Sequence, residues 1–132
     1  MHTEAQREMM KRLSEEYDLP ISGTFGEESP GTFSGGGYED QLDRLIEPLD
    51  SMSPDTLYRS IFHIATNTPE IQALSLEGGE SANIAEQRQI ELDLLLSAEF
   101  RAALRRHHIE PVTYRELVEE RRNQGAQSST SD

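Results

Sequence analysis

The chain has 132 residues, a net charge of −13 from 25 acidic against 12 basic residues, 34% apolar residues and no cysteine. That length suits one domain of ordinary size, and without a thiol there is no disulfide, thiolate metal site or cysteine nucleophile. So acidic a surface repels nucleic-acid phosphates and anionic membrane leaflets; the expected partners are proteins, copies of the chain among them, with neither nucleic acid nor membrane expected.

Eleven of the basic residues are Arg and one is Lys11. No apolar run approaches the roughly 20 residues of a membrane span. The opening MHTEAQREMMKR has no basic start followed by an apolar region, so it does not read as a secretory signal, and the expected location is the cytoplasm or a virus particle. Setting aside the Gly/Ser-rich stretch and the tail leaves about 100 residues, enough to bury about two-thirds of their unfolded surface.

In chain order, residues 1–21 read as an N-terminal helix, either packed or free as an arm. Thr3 and Gln6 form a capping box. Ala5, Met9, Leu13 and Tyr17 recur every four residues as a narrow apolar stripe, and Pro20 ends the pattern. Residues 22–37, SGTFGEESPGTFSGGG, hold six glycines and predict a long loop. Within it Gly23-Thr24-Phe25-Gly26 is nearly repeated as Gly31-Thr32-Phe33-Ser34. Two Phe at that spacing either anchor in a partner's apolar pockets or fold back on this chain's own core. The stretch is no nucleotide loop, because no Lys follows in a G-K-[ST] pattern.

Residues 38–123 are expected to form a helical core. Tyr38, Leu42, Leu45, Ile46 and Leu49 share a helical face, and Pro48 requires a kink or stop near Glu47. Ser53-Pro54 has the form of an N-cap and first helical residue, which predicts a buried helix to about Ala65. Thr68-Pro69-Glu70 repeats the signal for a short helix, stopped by Gly78-Gly79.

Ser81 to Ile109 is the longest helical pattern, with Ser81 as its cap. Ala85, Leu92, Leu96, Phe100 and Ala103 form a stripe, and 90–96 is apolar almost all round, which implies packing on several sides. Ser97 either caps a second helix or lies inside a single one. Arg105, Arg106, His107 and His108 offset the negative end of the helix dipole. After Pro111, Thr113 and Glu116 form a capping box for a helix over about 114–123, touching its neighbours through Tyr114, Leu117 and Val118. Residues 124–132 have nothing to bury and are expected to be disordered.

No catalytic, cofactor or metal motif emerges. H-E-x-x-H, G-x-S-x-G and calcium-loop patterns are missing from the sequence. Adjacent His107 and His108 project about 100° apart on a helix and do not chelate as an i, i+4 pair does. His63 lies on the polar side of its expected helix, within reach of a carboxylate. The arginines near 101–106 and 121–122 are interspersed with acids.

These observations predict an all-α bundle of five or six short-to-medium helices with a long Gly/Ser-rich loop after the first. They predict a non-catalytic assembly or adaptor protein within a multi-subunit particle, with Phe25, Phe33, Met9, Leu13 and Tyr17 as partner contacts. The alternatives are a small acidic inhibitor that imitates nucleic-acid charge, and an enzyme using His63 with a carboxylate.

Overall fold

The computed structural model of the protein describes residues 3–74 and 83–128. These form α1 (Glu4–Tyr17), α2 (Tyr38–Ile46), α3 (Pro69–Ala73), α4 (Ile84–Leu96), α5 (Ala98–Arg106) and α6 (Tyr114–Ser128), with no strand among them. The chain is therefore all-α. Its helices belong to two units: residues 29–110 form a central unit, and residues 1–28 with 111–132 form a terminal unit. The expected cap at Ser81 and stop at Gly78-Gly79 lie outside the described residues.

The central unit contains the apolar core. Phe33, Leu42, Leu45, Leu94 and Phe100 pack together and are buried. Leu42 and Leu45 sit three residues apart on α2 and so share its inner face. Glu39 and Asp40 complement the positive end of that helix. At Pro48 the α pattern stops: α2 ends at Ile46, and Glu47–Ser51 continues as a 3-10 turn that still directs Leu49 inward. Leu94 is fully sealed from solvent, a burial worth about 2–3 kcal/mol.

Ser97 separates α4 from α5. Its hydroxyl accepts from the Phe100 N–H at 3.1 Å and donates to the Leu94 carbonyl at 2.7 Å. One side chain thus serves the end of one helix and the start of the next. The break also changes the helical phase. Phe100 and Ala103 are buried, whereas Leu96 is 61% exposed. The stripe Ala85, Leu92, Leu96, Phe100, Ala103 assumed one continuous helix, and the cap at Ser97 invalidates it.

The helix expected over 53–65 is not formed. Residues 52–68 are irregular, and 63–67 bond to α4. The His63 N–H donates to Glu91 Oε2 at 2.5 Å, the Ala65 N–H to the Arg88 carbonyl at 3.3 Å and the Asn67 N–H to Gln89 Oε1 at 2.9 Å. Tyr58, Ile61, Phe62, Ile64 and Thr66 are β-branched or aromatic and lose rotamer freedom in a helix. α4 offers their backbone an alternative set of partners. Phe62 alone among these reaches the core, its ring centroid 4.6 Å from that of Phe33. Ile61 and Ile64 are 55% and 51% exposed. The next start signal is realised: Pro69 opens α3 and the Gln72 N–H bonds the Thr68 carbonyl at 3.0 Å.

In the terminal unit, both helices open with the capping boxes read from the sequence. The Gln6 N–H bonds Thr3 Oγ1 at 3.3 Å and the Thr3 N–H returns to Gln6 Oε1 at 2.8 Å. At α6 the Glu116 N–H bonds Thr113 Oγ1 at 3.3 Å and the Thr113 N–H bonds Glu116 Oε2 at 2.6 Å. α6 continues to Ser128, past the end expected near residue 123. Gly125 costs a helix about 1 kcal/mol, which weakens the helix without ending it.

Candidate partner-binding surface

α1 has no buried residue along its 14 positions. Its sequence makes it a helix through the capping box and a composition rich in Glu, Arg and Met. It ends at Asp18, which takes the left-handed conformation at φ 50°. That bend is fixed by the Leu19 N–H on the Ser14 carbonyl at 3.0 Å, with the Ser14 hydroxyl donating to the Leu19 carbonyl. The result is a helix capped at both ends that holds Met9, Met10, Leu13 and Tyr17 in solvent. Met9 is 55% exposed and Tyr17 63%. Leu19 extends the apolar surface past the cap. Positions 9, 13 and 17 repeat every four residues, and 10, 13 and 17 follow the i, i+3, i+7 pattern with which amphipathic helices enter apolar grooves.

The segment after α1 folds around one carboxylate. Glu27 Oε1 accepts from the Gly23 N–H at 2.7 Å and from the Tyr114 hydroxyl at 2.6 Å, and Glu27 Oε2 accepts from the Phe25 N–H at 3.1 Å. The Tyr114 hydroxyl first, then the amides of Gly23, Glu27 itself and Phe25, hold the Glu27 carboxyl down to about 2, because each stabilises the ionised form. Phe25 packs on Tyr114 with ring centroids 5.9 Å apart, and Asp18 pairs with Arg122.

The five residues singled out by sequence thus occupy different environments. Met9, Leu13 and Tyr17 share the open face of α1. Phe25 is half-buried in the terminal unit against Tyr114. Phe33 belongs to the central unit, 5% exposed within its core. The near-duplicate Gly-Thr-Phe motifs therefore place their rings in two separate units.

Two polar clusters lie in the central unit, and neither has a motif that announces it. Gln41 is fully buried; its Nε2 donates to the Gly36 carbonyl at 3.2 Å and to Gln87 Oε1 at 2.7 Å. Gln87 Nε2 also reaches the Gly36 carbonyl at 3.1 Å, and Arg44 donates to the carbonyls of Phe33 and Gly35. These side chains satisfy a glycine-rich backbone that has no ladder of its own. The three glycines before α2 were the available signal.

The second cluster joins Ser34, His63 and Glu91. Glu91 is 4% exposed and accepts from the Ser34 hydroxyl at 3.4 Å as well as from the His63 backbone. His63 Nδ1 lies 4.0 Å from Glu91 Oε2, and the imidazole is largely in solvent. In nucleophilic catalysis the imidazole stands between hydroxyl and acid; here hydroxyl and histidine both turn to the acid. The geometry suits a carboxylate that ties residues 34 and 63 to α4. At the end of α5, His107 Nδ1 is 3.6 Å from Asp50 Oδ1. Among the described residues no three of His, Asp or Glu converge as metal ligands, and no helix is long and apolar enough to cross a membrane.

No protein-family model matches this sequence, and none of the curated proteins matches it.

Proposed function

We propose that the chain is a non-catalytic assembly or adaptor protein, making protein–protein contacts within a multi-subunit particle, cellular or viral. The observation that supports this reading is α1: a capped amphipathic helix with an apolar stripe and not one buried residue. A soluble chain gains nothing for its own fold from such a stripe, and an amphipathic helix buries it against a partner's groove. Met9, Leu13 and Tyr17 are the contacts. Phe33 serves this chain's own core and Phe25 the terminal unit, so neither is needed as an anchor.

The test is a variant with Met9, Leu13 and Tyr17 all changed to Ser, compared with wild type by size exclusion with light scattering, alone and in extract of the source cells. The variant keeps its helicity and melting temperature, because the three side chains are already in solvent, and it loses the larger species formed by wild type. Wild-type-like assembly by the variant contradicts the proposal.

A second reading follows from the charge of −13: an acidic inhibitor that covers a basic protein surface. Its binding falls steeply as salt rises and is indifferent to the three α1 substitutions.

A further inference from the structure

We propose that residues 18–28 form an acid-opened clasp joining the two ends of the chain, with Glu27 as its latch. The terminal unit has no buried residue among those described, so apolar packing does little to hold its parts in place. Polar contacts carry that role. Glu27 gathers two amides of its own segment and the phenol of α6 onto one carboxylate. The Phe25 ring then lies against the ring of that same tyrosine. Removing the negative charge weakens all three bonds together, since bonds to an ionised acceptor are roughly twice as strong as neutral ones.

From α6 the group facing Glu27 is Tyr114, followed in sequence by Arg115 and by Glu116, which is engaged by Thr113. At the C-cap of α1 the charged groups are Asp18 and its partner Arg122. Within the segment Glu28 follows directly. Hydrogen bonds rather than a neighbouring cation keep Glu27 ionised, with the Tyr114 hydroxyl foremost. Because its carboxyl is held below the ordinary 4.5, at about 2, the stabilisation is complete above 4.5 and is lost as pH falls toward 2. Glu116 acts in the same sense at the start of α6: the Thr113 hydroxyl, then the Thr113 amide, lowers its carboxyl.

The test is an NMR titration of the full chain from neutral pH into acid. It follows the Glu27 carboxyl carbon, the Gly23 and Phe25 amide protons and the ring-to-ring contacts between Phe25 and Tyr114. The Ala65 amide, bound to the backbone of α4, reports on the central unit. The clasp predicts that the Glu27 carbon and both amides titrate together below the ordinary carboxylate range, and that the ring contacts disappear over the same interval. Glu27→Ala reproduces the open form at neutral pH, with the open population raised on the order of tenfold or more and the Ala65 amide unmoved. Tyr114→Phe keeps the ring and removes the phenol, so it raises the Glu27 midpoint. A Glu27 that titrates at the ordinary value, with Gly23 and Phe25 unaffected, overturns the proposal. So do intact ring contacts in Glu27→Ala at neutral pH.

Discussion

Leu94 and Glu91 lie three residues apart on α4 and both are sealed from water; one is the centre of the apolar core and the other the acceptor for Ser34 and for the backbone of His63. Leu94→Ala removes a fully buried side chain and is expected to cost about 3 kcal/mol, read as a lower denaturant midpoint with an unchanged slope. Gly36 is a different kind of constraint. It has φ +82°, and a Cβ there would sit 3.1 Å from Asp40 Oδ2. Gly36→Ala is therefore expected to cost about 1–2 kcal/mol through backbone strain, with loss of the alignment that lets Gln41 and Gln87 share the Gly36 carbonyl. Neither Gln41 nor Glu91 was legible as an interior residue, because a polar side chain at a core position carries no mark in sequence of the groups it meets there.

At the scale of elements, helix ends were the most legible feature. Thr3 with Gln6, Thr113 with Glu116, Thr68-Pro69 and the stop before Pro48 all depend on local chemistry, and all are realised. Ser97 was ambiguous in sequence because a serine serves equally in a cap and in a helix interior. The structure makes it a cap, so Ser97→Ala is expected to destabilise the chain by about 1 kcal/mol, measurable by thermal unfolding. What misled was Ser53-Pro54. It has the chemistry of a helix start, yet the amides of residues 63, 65 and 67 are taken by α4, a tertiary effect that no window of the sequence contains. The same competition turns Ile61 and Ile64 outward. Met9, Leu13 and Tyr17 were legible as one face from their spacing. Only the structure separates Phe25 from Phe33.

For the whole molecule, the charge of −13 is spread over both units, and self-repulsion opposes the folded state at low ionic strength. The melting temperature is expected to rise between very low salt and about 0.15 M, where the screening length falls to about 8 Å; a melting temperature independent of salt would show that the charges are already compensated. The acidity also makes an exposed apolar helix tolerable in solution, since net charge suppresses indiscriminate association.

The central claim is that the Met9–Leu13–Tyr17 face of α1 meets another polypeptide, and a photo-cross-linking residue tests it most directly, placed at Leu13 in one chain and at Lys11 on the opposite side of the helix in another. Irradiated in source cells, the Leu13 position is expected to yield a discrete adduct with a second polypeptide, either a copy of this chain or a distinct subunit, and the Lys11 position is expected to yield none. Equal adducts from both positions, or cross-links from Leu13 only within its own chain, would contradict the account.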